Sequence, residues 1–340
     1  MSRLVKVVAG CLLFFVMVIA AFYWWLNDIN KPLNLDTPVL FTVAQGSSGH
    51  ALLNQLEQQG WLASNPHSIK LWMKFGYRGQ SAKAGTYQLE TDMTVPEVFD
   101  HFANGDEYQF SVSLVEGLTY SQWLSTLASH PQLVHDIDAN TTQALMDAWP
   151  WQPMDGLVNL EGLLLADTYY FTAGTKASDI LKRAMRAMQH YLEKAWANRV
   201  AGLPFETVYE ALIMASIVEK ETAVAAERNE IAGVFVNRLE ANMRLQTDPT
   251  VIYGIGPDFD GNLTRKHLKQ RTPYNTYRIK GLPPTPIAMA GKPAIEAVLH
   301  PSETENLYFV AKGDGSHHFS ATLQAHNDAV YKYQIKRSEQ

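Results

Sequence analysis

The segment ALIMASIVEKET, residues 211–222, decides the fold because it joins an apolar octet to two glutamates. Residues 211–218 are apolar or small all round a helix, which is typical of a helix that runs through a core rather than along a surface. Glu219 follows at the position where such a helix leaves the core. The segment therefore predicts a domain packed around a buried helix, with a carboxylate at the margin of its interior.

This position makes Glu219 a candidate general acid. Partial burial raises the pKa of a carboxyl group and favours its protonated form near neutral pH. Glu221 lies two positions further on, about 200° around the helix, so the two carboxylates do not converge. The alternative is a structural glutamate that forms a salt bridge at the helix surface with Arg228 or Lys220. The pattern alone leaves both interpretations open.

Composition places the chain among ordinary globular proteins. It has 340 residues, of which 46% are hydrophobic and 18% are charged, enough for two domains or one large one. The net charge of −6 comes without any basic run, so nothing indicates nucleic acid as a partner. Cys11 is the single cysteine, which excludes a disulfide framework.

The N-terminal segment predicts a membrane anchor. Val7–Leu26 carries no charged residue, and twenty residues at about 1.5 Å each span the roughly 30 Å hydrocarbon core of a bilayer. Aromatic residues at 23–25 suit the membrane interface, and Arg3 and Lys6 before the span predict a cytoplasmic N-terminus. We expect a single-pass membrane protein whose residues 28–340 lie outside the cytoplasm. The alternative is a cleaved signal peptide.

The remaining chain predicts an α+β fold in two parts. A polar linker at 28–37 follows the anchor at 1–27. Hydrophobic periodicity then predicts the order strand, helix, helix, strand, helix over residues 38–110, a small α+β module. A larger, mainly helical domain with short strands is predicted over residues 111–340.

The C-terminal stretch predicts a strand within ENLYFVA, a Gly-rich turn in KGDGSHH (residues 312–318) and a final helix. His317, His318 and His326 are residue types that bind metals. No HExxH motif and no cysteine pair accompanies them, so no metal site is predicted.

Two segments carry polar groups suited to a sugar. Gln246 and Thr247 are polar residues just before a predicted helix, and both are of a type that can hydrogen-bond a saccharide. Asp248 is predicted as the N-cap of that helix, with proline at its first position. The segment YNTYRIKGLPPTP, residues 274–286, combines tyrosines and an asparagine with a rigid Pro-Pro turn. Such a segment suits either carbohydrate or a packed loop.

Several motifs, in this order, resemble the YceG-like family of endolytic murein transglycosylases. The resemblance covers nearly the whole chain and rests mainly on four segments, MASIVEKETAVAAERNEIAGVFVNRL, MRLQTDPTVIYGIG, YNTYRIKGLPP and LYFVAKGDGSHHFSATLQAHNDAV. FTVAQGSSGHALLNQLEQQGWL with KAGTYQL is similar to the family's LysM-like module, which assigns that role to residues 38–110. LVEGLTYSQWLSTL and LEGLLLADTYYF also fit the family.

The resemblance implies a lytic transglycosylase that acts on peptidoglycan. It would cut the β-1,4 bond between N-acetylmuramic acid and N-acetylglucosamine within glycan strands and leave a 1,6-anhydromuramyl end. Glu219, the first glutamate of the Glu-Lys-Glu motif, would be the single acid/base, with no cofactor or metal. The expected sugar contacts are Gln246, Thr247, Asp248, Tyr253, Asn275 and Tyr277. Expected partners are glycan strands, the inner membrane and penicillin-binding glycan synthases.

The sequence departs from the family pattern in two loops. Thr285 replaces the glycine that commonly follows Pro-Pro, and Met289-Ala290 precede Gly291. The usual Phe-Pro-Asp-Thr-Tyr is Leu-Ala-Asp-Thr-Tyr at residues 165–169. Two rival functions stay open: a non-catalytic scaffold that binds peptidoglycan, and a muramidase-type hydrolase that uses Glu219 with Asp248.

Overall fold

A computed structural model describes residues 3–77, 81–153 and 156–335 of the chain. These residues form two compact units. Unit 1 contains the chain up to Phe110 together with Tyr170–Ala173. Unit 2 contains Ser111–Tyr169 and the chain from Gly174 onward.

The chain begins with one long apolar helix, α1, which spans Arg3–Ile29. Its most apolar window has a mean hydropathy of 2.7 and is not buried by the rest of the protein. By length and composition the helix can cross a membrane, as the sequence predicts. A signal sequence has the same properties, so the helix alone does not separate the two.

The rest of unit 1 is a small α+β module. Its elements are β1 (Val39–Val43), α2 (Gly49–Gln58), α3 (Pro66–Phe75), β2 (Gly85–Leu89) and α4 (Val95–Asn104). The two strands pair antiparallel, with Val39 opposite Leu89 and Val43 opposite Gly85. The order of elements is the one that the hydrophobic periodicity predicts.

Local signals fix the ends of these helices. Asn65 caps α3 by accepting the backbone N–H of His67, with proline in the first turn. Thr94 and Glu97 form a reciprocal capping box at the start of α4. On the buried face of β1, Phe41 stacks on Phe102 with ring centroids 5.4 Å apart. The module therefore has a core of its own.

The first two residues of the predicted linker at 28–37 belong to α1, and the remainder connects α1 to β1 while packing partly against the module. Ile29 and Leu33 are each 4% exposed. The Leu33 backbone N–H donates to the Met93 carbonyl at 2.7 Å, and Asn34 donates likewise to Trp61 at 2.8 Å. This segment joins the end of α1 to the rest of unit 1.

The remaining elements, within the described residues, are mostly helices. They are β3 (Phe110–Leu114), α5 (Tyr120–Ala128), α6 (Ala139–Asp147), β4 (Asp167–Phe171), α7 (Ala177–Ala197), α8 (Val208–Glu221), α9 (Arg228–Glu240), α10 (Asp248–Ile255), α11 (Arg265–Lys269), α12 (Lys292–Leu299), β5 (Tyr308–Ala311), β6 (His317–Ser320) and α13 (Leu323–Val330). β3 pairs with β4, and β5 pairs antiparallel with β6. Short 3-10 helices lie at Ala225–Glu227 and Gly256–Asp258, and Tyr331–Ile335 is π-helical.

Helix α8 is the buried helix that the sequence predicts. No side chain from Ala211 to Val218 is more than 4% exposed. The helix begins with a capping box between Thr207 and Glu210, and it packs against α9, α10 and α12. Glu219 lies in its last turn, at the edge of the core.

The predicted Gly-rich turn at 312–318 is too long. Its last two residues, His317 and His318, belong to β6. They pair with Ala311 and Val310 of β5 in a hairpin. This strand forms through pairing with its neighbour, because the sequence His-His-Phe-Ser has little apolar alternation of its own.

Candidate active site

Glu219 is half-buried at the end of α8, and its carboxylate faces the start of α12. Its Oε2 accepts the backbone N–H of Gly291 at 3.0 Å. Gly291 is the N-cap residue of α12, so the carboxylate lies where a helix dipole favours negative charge. A side chain on Gly291 would place its Cβ 3.4 Å from Glu219 Oε2. At that distance the added carbon would be in ordinary van der Waals contact with the carboxylate.

The pKa of Glu219 lies above that of a free glutamate. Burial is the largest cause, and the negative charge of Glu116 adds to it. The Gly291 N–H and the charges of Arg228 and Lys220 act in the opposite direction without cancelling the rise. Glu219 therefore keeps its proton to a higher pH than an exposed glutamate does, as predicted from its position in the sequence.

The alternative of a surface salt bridge is not what the structure shows. Within the described part of the chain, neither Lys220 nor Arg228 forms an ion pair with Glu219. The Lys220 Nζ instead donates to the Gly117 carbonyl at 3.0 Å. Both cations act on Glu219 only from a distance.

Two backbone segments form the wall beside Glu219. Gly117 N–H donates to the Met289 carbonyl, and Met289 N–H donates to the Leu118 carbonyl, each at 2.8 Å. The Ser216 hydroxyl, fully buried in α8, accepts the Ile287 N–H at 2.9 Å. The buried helix therefore positions both its own glutamate and the loop that supplies the Gly291 N–H.

Glu161 is a second buried carboxyl, which the sequence analysis did not select. It is 3% exposed. Its Oε1 accepts the Tyr120 backbone N–H at 2.8 Å, and its Oε2 accepts the Tyr253 hydroxyl at 3.2 Å. Burial raises the pKa of Glu161 to about 7, although these two bonds favour the ionised form. A single charge inside the run LEGLLLA is the signal that could have identified it.

Tyr253, a predicted sugar contact, belongs to this group. Its half-buried ring lies 5.0 Å, centroid to centroid, from that of Tyr274. The Tyr274 hydroxyl is 2.9 Å from the Thr285 Oγ1. Thr285, which departs from the family pattern, is thus a buried residue that holds a tyrosine.

Three predicted residues gather around Glu221 instead. The Thr247 hydroxyl donates to the Glu221 carboxylate, and the Tyr277 hydroxyl donates to Asp248 Oδ1 at 2.7 Å. Burial, and secondarily the charge of Asp248, raises the pKa of Glu221. The Thr276 hydroxyl also accepts the Thr247 N–H at 3.0 Å. We call these five residues the Glu221 cluster.

The prediction that Asp248 is the N-cap of α10 is wrong. Thr247 occupies the N-cap position without a side-chain cap bond, and Asp248 is the first helical residue. The side chain of Asp248 turns to Tyr277 rather than to the helix. Gln246 precedes it, exposed, with a φ of 51° in the left-handed region.

Asn275 is fully buried and its amide is used within its own loop. Its Nδ2 donates to the carbonyls of His267 at 3.1 Å and Gln270 at 2.6 Å. Its Oδ1 accepts the Tyr277 N–H at 3.0 Å. In this arrangement Asn275 shapes the loop that carries Tyr277.

The C-terminal histidines do not come together as metal ligands in the described residues. His317 pairs with Glu227, its Nδ1 lying 2.8 Å from Oε2. His318 lies against Tyr333, and His326 stacks on Tyr308. The described ranges contain no group of three or more metal-binding side chains.

Comparison with known proteins defines the class. The profile of the YceG-like family matches residues 41–332. The chain is 33% identical over 344 residues to the endolytic murein transglycosylase of Bacillus subtilis strain 168, covering 95% of this chain and 93% of that protein. It is 26% identical to the endolytic murein transglycosylase of Streptococcus pneumoniae strain D39, covering 92% of this chain and 61% of that longer protein.

A solved structure supports the same family. The crystal structure of a yceG-like protein from Listeria monocytogenes superposes with a TM-score of 0.54 and 30% identity, covering 86% of this chain and 98% of that one. The chain therefore belongs to the YceG-like family.

Proposed function

We propose that this chain is an endolytic murein transglycosylase that cuts the bond between N-acetylmuramic acid and N-acetylglucosamine inside glycan strands. The enzyme class, a lytic transglycosylase, follows from the family and from the names of the curated relatives. The product is a 1,6-anhydromuramyl end. The observation that carries the mechanism is the half-buried Glu219 carboxyl at the margin of the core, bonded to the Gly291 N–H.

Glu219 acts first as an acid. Its raised pKa favours the protonated carboxyl, and that proton passes to the glycosidic oxygen as the bond to C1 of the muramyl sugar breaks. The muramyl ring is left with oxocarbenium character at C1. The Gly291 N–H and the start of α12 then stabilise the carboxylate that remains.

Glu219 acts next as a base. The carboxylate takes the proton of the C6 hydroxyl of the same sugar while that oxygen forms a bond to C1. The anhydro ring closes, the proton is restored to Glu219, and no water is consumed. The site supports both steps because burial favours the acid form and the Gly291 N–H favours the base form.

The rival hydrolase needs a second carboxylate that activates water or forms a covalent intermediate. Asp248, the residue first considered for that role, is bonded to Tyr277 in the Glu221 cluster. The carboxylate whose charge raises the pKa of Glu219 is Glu116, which is exposed. We assign Glu116 an electrostatic role and test it below.

The glycan contacts are proposed residue by residue. Gln246 and Asp248 are exposed at the start of α10, and Tyr253 and Tyr277 are partly exposed, so these four are assigned to the sugar. Thr247 and Asn275 are buried and bonded internally, and we assign them the positioning of these contacts.

Unit 1 and α1 are proposed to hold the enzyme at its substrate. The antiparallel pair β1–β2 with two helices between them supports a LysM-like module that binds glycan. Arg3 and Lys6 before the span support an uncleaved inner-membrane anchor with a cytoplasmic N-terminus and a periplasmic enzyme. Penicillin-binding glycan synthases are proposed neighbours at that membrane.

The test is mass spectrometry of the products from uncrosslinked glycan strands. The wild-type protein should release anhydromuropeptides, and Glu219→Gln should lower their release by about 10³-fold, within the range for a lost acid/base group. Glu240→Gln, an exposed change on α9, is the matched control and should leave the products unchanged. Strand binding without any product from the wild type would instead support the scaffold.

A further inference from the structure

Helix α3 has an apolar face that unit 1 does not bury. Ser68 and Ile69 point into the module and are at most 5% exposed. On the other side, Leu71 is 46% and Phe75 is 71% exposed. They lie one turn apart, as do the exposed Lys70 and Lys74 beside them. We call these four residues the outer face of α3.

Helix α3 is hydrogen-bonded to the end of the apolar helix α1. The Trp25 Nε1 donates to the Ser68 carbonyl at 3.0 Å. Asp28, 2% exposed, accepts the Asn65 N–H at 3.0 Å at the N-cap of α3, and also the Lys31 ammonium at 2.6 Å. These bonds tie the last turns of α1 to the first turn of α3.

The two helices share one open apolar groove. It is lined by Ala21, Phe22, Trp25, Leu71, Phe75 and Gly76. Phe22 lies four residues before Leu26, where the uncharged span ends. The distance between them along the helix axis is about 6 Å. Leu71 and Phe75 share the groove with Phe22. When α1 spans the membrane, they therefore lie just inside the boundary of the apolar layer.

We propose that the outer face of α3 lies in the interfacial layer of the phospholipid bilayer and forms a second attachment beside α1. Leu71 and Phe75 enter among the upper acyl chains, while Lys70 and Lys74 face the anionic phosphates. A helix with apolar and basic residues on its free side is typical of a segment that lies in the membrane interface. The proposal rests on the anchoring role of α1 given above.

The choice of occupant follows from continuity with the span. The groove is shared with Phe22 and Trp25, two aromatic residues at the outer end of the uncharged span. Because residues of α1 and α3 line the same open groove, we expect a bilayer that surrounds α1 at this height to contact Leu71 and Phe75 as well. The attachment would fix the height of the LysM-like module above the membrane.

The experiment uses the full-length chain in liposomes that contain phosphatidylglycerol. Cys11, the single native cysteine, reports on the span when it carries an environment-sensitive fluorophore. A Phe75→Cys variant in a Cys11→Ala background reports on the outer face. Gln58→Cys in the same background, on the exposed side of α2 in the same unit, is the matched control for a position that stays in contact with water. Lipids with a nitroxide near the headgroup serve as quenchers.

We expect the Phe75 probe to be quenched at least twofold more than the Gln58 probe, with its emission shifted to the blue. Leu71→Cys should behave like Phe75→Cys, which guards against a local disturbance at one position. Equal quenching at Phe75 and Gln58, with Cys11 quenched, would overturn this proposal but leave the anchoring role of α1 intact. A shielded Phe75 probe that lipid nitroxides do not quench would indicate a protein partner and also overturn it. An unquenched Cys11 would mean that the anchor itself fails.

Discussion

The backbone N–H of Gly291 donates to Oε2 of Glu219 at 3.0 Å, and Glu219 lies at the end of α8, whose residues 211–218 are all buried. This bond opposes the burial that raises the pKa of Glu219. A group that must give a proton and then take one back needs both influences, because either one alone would favour a single protonation state. The predictions below test this balance and its surroundings.

Two substitutions of Gly291 distinguish the effect of losing the hydrogen bond from the effect of adding side-chain atoms beside Glu219. Gly291→Pro removes the N–H at a residue whose φ of −78° suits proline, whereas Gly291→Ala keeps the N–H and adds only a Cβ. Loss of a bond to a charged group corresponds to about 1.5–3 kcal/mol, so Gly291→Pro should lose about 10- to 100-fold in turnover. Gly291→Ala should lose less. Equal losses in both would assign the effect to crowding, and not to the bond.

Glu116 should affect the pH profile rather than the reaction itself. Its negative charge raises the pKa of Glu219, so Glu116→Gln lowers that pKa. The acid step needs protonated Glu219, and turnover therefore falls as pH rises through its pKa. In Glu116→Gln this fall should occur at lower pH, with turnover at acid pH unchanged. If the variant were inactive at every pH, Glu116 would be a second catalytic carboxylate and the hydrolase would be favoured.

Glu161 should make folding stability depend on pH. Its pKa is about 7 when folded, against 4.5 as an ordinary glutamate, so its contribution is complete below about pH 4.5 and is lost as pH rises through 7. At 1.36 kcal/mol per unit, the wild-type protein should lose up to roughly 3 kcal/mol across this window from this residue. Glu161→Gln should remove that slope.

The measurement is urea unfolding of the full chain in detergent micelles at pH 5 and pH 8. The free energy of unfolding of Glu161→Gln, relative to that of the wild type, should be higher at pH 8 than at pH 5. Tyr253→Phe removes one donor that favours the ionised carboxyl, so this variant should keep the slope or make it steeper. An unchanged slope in Glu161→Gln would show that this carboxyl titrates normally.

Thr247 should matter for stability through Glu221. Thr247→Val removes the hydroxyl that donates to a carboxylate in the buried part of the Glu221 cluster, which should lower the free energy of unfolding by about 1–3 kcal/mol. Thr247→Ser retains the hydroxyl and is the matched control, with a smaller loss expected. Thermal unfolding of both variants checks this. Equal stability of Thr247→Val and the wild type would mean that the bond contributes nothing net.

The sequence predicts those features that depend on local patterns. The apolar run of α1, the core helix α8 and the order of elements in unit 1 all follow from periodicity within a short window. The position of Glu219 at the margin of the core is predictable for the same reason, because the end of an all-apolar helix is visible in the chain itself.

The features that sequence analysis missed depend on distant residues. The lone charge in an apolar run marks Glu161, but its partners lie 41 and 92 positions away, so no local pattern reveals the site that it forms. The strand β6 exists through its pairing with β5. Asp248 leaves its expected cap because Tyr277, 29 positions away, donates to it. In each case tertiary contacts prevail over the local preference.

The central claim is that the C6 hydroxyl, and not water, attacks C1 once Glu219 has given up its proton. Digestion of uncrosslinked glycan by the wild-type protein in water enriched in ¹⁸O tests this most directly. The account predicts anhydromuramyl products with no ¹⁸O incorporated during the reaction. Muramyl products that carry one ¹⁸O at C1 from the start of the reaction would contradict it and establish hydrolysis.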